Sequence, residues 1–334
     1  MTDDLRVGVV GAGMIAGEHV GAYAATSGTR VVAVADPVRP KAERLASRVG
    51  AEAVADLDAV LGADVDAVSI CTPPATHADL AVAALEAGMH VLCEKPIARS
   101  LLDARRIVAA ADVAAGLLMV GHVSRYEPDH RAAKEVVDAG HIGEVQMLSH
   151  SITTSLPAWS EGAWLADTDL SGGPLVDLGV HSFDYLAWAT GSPAVRVHAV
   201  GTDSPAGATT YALATVRYAS GAMGLVESSW AHPASRGLTL RAELIGTLGR
   251  LSWDYDGLVA GALYRNDGTA TRLEPLGARG FHAEVGRFLA AVRDGHPSPV
   301  PAEAGYQALR TALAALESVR TGATIDLTTW QPRP

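Results

Sequence analysis

The first third of the chain alternates between short apolar runs rich in Val, Ile and Ala and longer segments whose apolar positions recur at helical spacing. Leu5–Val10 is the first such run, and a helical pattern follows it through Ala25. Val31–Ala35, the vicinity of Ala53, Ala67–Cys71, His90–Cys93 and Leu117–Gly121 repeat the strand signature. Between them, a segment from near Arg39 to Val49, then Leu57–Leu61, His77–Ala87 and Leu101–Ala115 repeat the helical one. Apolar strands alternating with amphipathic helices predict a parallel sheet covered on both faces. Asp129–Ala139, ended by Gly140, reads as a linking helix. Strand-like runs then dominate: Val145–Thr154, Val195–Val200, Thr210–Tyr218, Met223–Trp230, Leu238–Ile245, Gly249–Tyr255 and Leu258–Tyr264. Connections as short as Ala219–Gly221 make such neighbours antiparallel. Phe281–Arg293 and Ala302–Thr321 follow as two amphipathic helices.

Chemistry collects where the parallel strands end. Leu5–Val10 runs directly into Gly11-Ala-Gly13-Met14-Ile15-Ala16, a G-x-G-x-x-G/A pattern between strand and helix. In that context Gly11 permits the turn, Gly13 lets backbone approach a pyrophosphate, and the helix N-terminus supplies N–H groups to hold it. The next strand ends at Asp36, whose carboxylate suits an adenosine ribose 2′-OH and repels a 2′-phosphate, which favours NAD over NADP. Arg39 close behind keeps NADP possible, and Asp36 could also simply cap the following helix. Two further segments stand at strand ends: Thr72-Pro73-Pro74-Ala-Thr-His77 and Glu94-Lys95-Pro96. Lys95, directly after a buried strand and fixed by a proline, is expected to aim its ammonium into the crevice that holds a ligand. Further on, Ser171–Asp184 places Asp177 and His181 four residues apart in an apolar run. If that run is helical the two share a face, as a proton-handling pair or as a buried pair that only bonds its surroundings.

Composition narrows the function. A chain of 334 residues has room for two domains, and a net charge of -11 with no basic cluster argues against nucleic acid and anionic membrane surfaces. No apolar run reaches the roughly 20 residues of a membrane span, and no signal-peptide pattern precedes the first strand, so a cytoplasmic location is expected. Cys71 and Cys93 fall near the ends of buried strands, where a small hydrophobe fits, and the histidines show no metal-ligand spacing, so no metal is expected.

Five segments together, Gly11–Ala16, Thr72–His77, Ala87–Pro96, Gly121–Pro128 and Gly173–Asp184, resemble the Gfo/Idh/MocA family, the glucose–fructose oxidoreductase and inositol dehydrogenase group. The likeness implies a Rossmann domain, here residues 1–122, followed by an α/β domain with a large open, mostly antiparallel sheet, residues 123–334. It implies a homodimer or homotetramer formed through that sheet. By position it makes Lys95, Asp177 and His181 the catalytic set and predicts a cis Lys95–Pro96 peptide. Gly11, Gly13, Met14, Ile15, Asp36, Thr72, Pro73, Pro74, His77, Glu94 and Lys95 become the cofactor-binding set. His122, Arg125, Thr153 and Trp164, with Asp177, are the candidates for contact with substrate. Trp164-Leu165 stands where many members carry Trp-Arg, and Ser124 where many carry a longer polar residue. Both departures bear on the substrate.

The activity so implied is NAD(P)-dependent hydride transfer with a secondary alcohol or ketone of a cyclic polyol, sugar or sugar derivative. In oxidation His181 would take the hydroxyl proton, the Lys95 ammonium would stabilise alkoxide character, and Asp177 would orient substrate or imidazole. Two alternatives remain open: redox-assisted glycoside cleavage, in which the cofactor is regenerated, and a non-catalytic dinucleotide sensor. The aromatics of the 155–171 loop, Trp159 among them, serve equally as a sugar-stacking wall or as packing.

Overall fold

A computed structural model describes residues 4–156, 165, 167, 171–203, 209–256, 261–273, 277 and 280–332. Its residues cluster into two compact units, Met1–Tyr126 with Ala278–Tyr306, and Glu127–Gly277 with Gln307–Pro334.

The first unit is built on six parallel strands: β1 (Leu5–Val10), β2 (Thr29–Ala35), β3 (Glu52–Val54), β4 (Ala67–Ile70), β5 (His90–Glu94) and β6 (Leu118–Gly121). Their order, β3-β2-β1-β4-β5-β6, is that of a doubly wound dinucleotide-binding sheet. Helices α1 (Met14–Ala24), α2 (Arg39–Ser47), α3 (Leu57–Leu61), α4 (His77–Glu86) and α5 (Leu101–Val113) connect them. Val7, Val9, Val68, Ile70, Val91 and Leu92 are fully buried, as expected of strands covered on both faces. Two helix starts carry side-chain caps. Asp56 accepts the Ala59 N–H ahead of α3, and Ser100 accepts the Asp103 N–H ahead of α5.

Beyond the expected division at residues 122 and 123, the first unit also takes in a later segment, Ala278–Tyr306. Helix α9 (Gly280–Asp294) packs on α1, with the Phe281 ring 5.7 Å from that of His19. Arg293 at its far end donates to the Ser27 and Gly28 carbonyls, and Val300 O then accepts the Val120 N–H at 2.9 Å beside β6.

The second unit holds a sheet of nine strands among the described residues, ordered β14-β13-β12-β11-β7-β10-β9-β8-β15. These are β7 (Val145–Thr153), β8 (Ala194–Asp203), β9 (Thr209–Tyr218), β10 (Met223–Ser229), β11 (Thr239–Gly246), β12 (Gly249–Asp254), β13 (Gly261–Arg265), β14 (Ala270–Leu273) and β15 (Ile325–Asp326). All neighbouring pairs are antiparallel except β7 with β10, which run parallel and join the two halves of the sheet. Alternation sets the faces: Leu148, His150 and Ile152 of β7 and Val226 of β10 are buried, whereas Met147, Met223 and Leu225 are exposed. Helices α6 (Pro128–Asp138), α7 (Gly173–Asp177) and α8 (Gly179–Thr190) belong to this unit, and α10 (Ala302–Thr321) begins in the first and continues into the second. Among the described residues no helix is long and apolar enough to cross a membrane.

Candidate active site

In the first unit the sequence-predicted residues gather at the carboxyl edge of the parallel sheet. Gly11 has a φ of +95°, and a Cβ there would lie 2.6 Å from the Cys71 carbonyl oxygen, so both conformation and space call for glycine. At Gly13, which caps α1 without a side-chain hydrogen bond, a Cβ would meet nothing within 4 Å. Met14 is half-exposed at the first helical position, and Ile15 is partly covered. An open helix N-terminus with no acidic residue in its first turn fits a pyrophosphate. Asp36 Oδ2 accepts the Ala12 N–H and Oδ1 the Val38 N–H, both at 2.8 Å, which fixes the carboxylate beside the glycine turn. Arg39 bonds Glu43 at 2.8 Å on its own helix.

The Thr72 and Lys95 loops are held together from below. Fully buried His77 reaches the Pro96 carbonyl with Nδ1 (2.9 Å) and the Thr72 carbonyl with Nε2 (2.8 Å). Burial lowers its pKa, so a neutral ring with one N–H donates to one carbonyl at a time. Thr76 donates to Thr72 Oγ1 at 2.7 Å, Pro73 is exposed and Pro74 buried. The Lys95–Pro96 peptide is cis, as expected. Glu94 is buried beneath this loop: Oε2 accepts the Lys95 N–H at 3.0 Å and Oε1 meets His19 Nε2 at 2.9 Å. The side chains of Glu94 and His77 therefore build the loop from inside. Lys95 is the one half-buried residue in the otherwise buried stretch 91–98.

His19 is a residue that reading the motifs passes over. It is fully buried in α1, with Nδ1 on Ser69 Oγ at 2.7 Å and Nε2 on Glu94. Burial alone would lower its pKa, but Cys71 and the Glu94 carboxylate outweigh that and raise it well above the ordinary value. Ligand-type atoms of His19, Glu94 and Glu284 of α9 lie within 4.8 Å of one another. An imidazole in the dinucleotide-binding helix, at a position that must face the sheet, was the signal available. His122 and Arg125 are also buried in this unit, Arg125 in a short 3-10 turn over Val123–Tyr126.

In the second unit the Asp177/His181 run is helical with an irregularity between the two residues. Asp177 ends α7, Leu178 intervenes, and the His181 N–H bonds the Leu178 carbonyl at 3.1 Å, a tighter step than the single regular turn expected. From Ser171 to Leu186 every residue is buried except Asp177 and His181, which are half-buried. Thr153 lines a polar cleft with Ser151, Glu227 and Arg241. By strand alternation that is the open face of the sheet, whereas α8 packs on the other, where Ser182 Oγ meets His150 Nδ1 at 2.8 Å. Trp159, Glu161 and Trp164 lie outside the described residues.

The chain matches the family model described as "Oxidoreductase family, NAD-binding Rossmann fold" over residues 5–122 and the "GFO/IDH/MocA C-terminal domain" over residues 130–252. It is 33% identical over 330 residues to inositol 2-dehydrogenase of Rhizobium meliloti (strain 1021), covering 94% of this chain and 97% of that one. A structure of a putative myo-inositol dehydrogenase from Sinorhizobium meliloti 1021 superposes with a TM-score of 0.83 at 31% identity, over 97% of this chain and 99% of that one. GenD2 from gentamicin A biosynthesis, in complex with NAD, superposes with a TM-score of 0.85 at 28% identity, over 98% of this chain and 97% of that one. With an NAD-type glycine turn and a fixed Asp36 at its sheet edge, the chain belongs to the Gfo/Idh/MocA family as an NAD-binding dehydrogenase acting on CH–OH groups.

Proposed function

We propose that the chain oxidises a ring hydroxyl of a cyclic polyol of the inositol type, with His181 as general base, Lys95 as the cation that stabilises alkoxide character, and Asp177 as the group that orients substrate. The bound dinucleotide supplies the hydride acceptor at its nicotinamide. The chain's own residues handle the proton: the hydroxyl proton passes to the His181 imidazole, and the Lys95 ammonium stabilises alkoxide character. One observation carries this assignment. In two long buried stretches, 91–98 and 171–186, the residues that keep partial exposure are Lys95, Asp177 and His181. Naming an inositol rests on the relatives at about one-third identity, and the ring hydroxyl chemistry is common to them.

The test is a screen of inositols, aldoses, uronates and nucleotide sugars with NAD and NADP, read at the nicotinamide absorbance. Wild-type enzyme is expected to release NADH stoichiometrically with an inositol, which a redox-assisted glycoside cleavage would not do. Lys95→Ala and His181→Ala should each lower kcat by about 10²–10⁴-fold, and Asp177→Asn by less. Turnover within threefold of wild type in both would defeat the assignment.

The open sheet face supports a homo-oligomer. Met147, Val200, Met223, Leu225 and Tyr264 share that face by register and are all exposed, an apolar patch that a second copy would cover. Sedimentation of Leu225→Arg should show smaller particles than wild type, and an unchanged assembly would exclude this face.

A further inference from the structure

We propose that His19 is a positioning residue for the reaction, acting through Glu94 to fix the backbone of Lys95 at the sheet edge. The inference rests on the assignment of Lys95 above and extends it to a residue on helix α1. The contacts run in one line within the first unit. Ser69 Oγ on β4 and Glu94 Oε1 on β5 hold the two nitrogens of the His19 ring at 2.7 and 2.9 Å, and Glu94 Oε2 holds the Lys95 N–H at 3.0 Å. His19 thus joins helix α1, which begins at the glycine turn, to the residue on which the proposed chemistry depends.

Its surroundings are built for this. Tyr23 donates to Ser69 Oγ at 3.4 Å from the same helix, Phe281 of α9 covers the ring, and Glu284 of α9 brings a carboxylate oxygen into the cluster. Cys71 faces the imidazole from the end of β4. At Gly121 on β6 a Cβ would stand 3.0 Å from Glu94 Oε1, so glycine leaves the room that the carboxylate occupies. Glu94 is 6% exposed and His19 0%. A carboxylate so buried is costly without a positively charged or donating partner. Removing the donor at position 19 therefore lets Glu94 turn or take up a proton, and the Lys95 N–H loses its anchor. A displacement of about 1 Å at a reacting group can cost on the order of 10²-fold in rate.

The test uses the full chain with its best polyol substrate. His19→Leu, His19→Gln, Glu94→Gln and Lys95→Ala are compared for kcat, for both KM values, for the NADH dissociation constant by nicotinamide fluorescence, and for melting by circular dichroism. His19→Leu is expected to lower kcat by about 10–100-fold while NADH affinity stays within threefold. His19→Gln, whose amide can still donate to Glu94 Oε1, should recover most of that loss. A parallel collapse of NADH affinity and kcat, or no rescue by glutamine, would mean a merely structural residue and overturn the proposal. If His19→Leu fails to fold, His19→Gln and Glu94→Gln carry the comparison, and wild-type kcat in both overturns it. An active Lys95→Ala defeats the Lys95 assignment itself, whereas an inactive Lys95→Ala beside fully active His19 variants defeats only the positioning role. Metal analysis completes the set: one equivalent of a tightly bound divalent ion in purified protein would also overturn it, because the ion and not the His19–Glu94 contact would then hold the carboxylates.

Discussion

Acidification should weaken the second unit through a buried histidine pair. His130 and His150 are 0% and 1% exposed and meet Nε2 to Nε2 at 2.9 Å, with Tyr185 and Trp253 packed edge-on against His130. One ring must donate and the other accept, so the pair is satisfied when both are neutral and a proton on the acceptor breaks it. Burial lowers the His150 pKa from 6.5 to about 3, and burial with His150 alongside lowers that of His130. A group with a depressed folded pKa of this kind binds its proton more readily when unfolded. Its stabilising effect is fully present above the unfolded value of 6.5 and is lost as pH falls toward the folded value. At about 1.4 kcal/mol per pH unit, His150 alone removes roughly 2 kcal/mol by pH 5, and His130 adds in the same direction. Urea unfolding at pH 7.5 and pH 5.0, followed by tryptophan fluorescence, measures this in wild type and in His150→Gln, whose amide cannot titrate. The wild type should lose about 2 kcal/mol more than the variant over that interval. Parallel losses in the two proteins would refute the reasoning.

Two predictions concern the cofactor site. Asp36→Ser removes a charge and one of the two acceptors that hold the Ala12 and Val38 N–H groups. The ratio of kcat/KM with NAD to that with NADP should fall by at least about tenfold, or 1.4 kcal/mol, and an unchanged ratio would remove Asp36 from cofactor choice. Gly11→Val forces a branched residue to φ +95° with its Cβ 2.6 Å from the Cys71 carbonyl. It should cost about 1–3 kcal/mol of stability and abolish NADH binding in a fluorescence titration, and near-wild-type affinity would show that the turn tolerates a side chain.

The parallel sheet was legible because both of its faces are covered: continuous apolar strands and the glycine turn after β1 leave little freedom in assignment. The strands of the second unit were read to within a few residues from alternation, yet β14 and β15 carry too few apolar positions to register. The parallel pairing of β7 with β10 joins residues about 76 apart, as Ser151 and Glu227 illustrate, and no local pattern encodes it. The return of α9 to the first unit was invisible for the same reason: an amphipathic helix declares an apolar face, but Phe281 and Glu284 do not say which helix they will meet. Asp177 and His181 were singled out by spacing, whereas the turn irregularity at Leu178 falls where Gly179 packs against β10, with Ser228 Oγ 3.2 Å from where a Cβ would lie at Gly179. At Thr153 a strand end shows alternation but not which face α8 will cover.

Two buried histidine pairs, one in each unit, show why residue type alone does not set a pH response. His19 faces a carboxylate and its pKa is raised, so its contribution is full below the unfolded value of 6.5 and fades as pH rises through the folded value. His150 faces another imidazole and its pKa is lowered, so its contribution fades in the opposite direction. Equal burial, with a carboxylate beside one ring and a neutral imidazole beside the other, yields opposite signs. Where the units melt separately, calorimetry between pH 8 and pH 5 should therefore show the transition of the second unit losing ground relative to the first. His19→Gln and His150→Gln should each flatten the pH dependence of one transition and leave the other unmoved. A single variant that flattened both would show that the two networks do not respond independently, and would refute the opposite pH responses argued for His19 and His150.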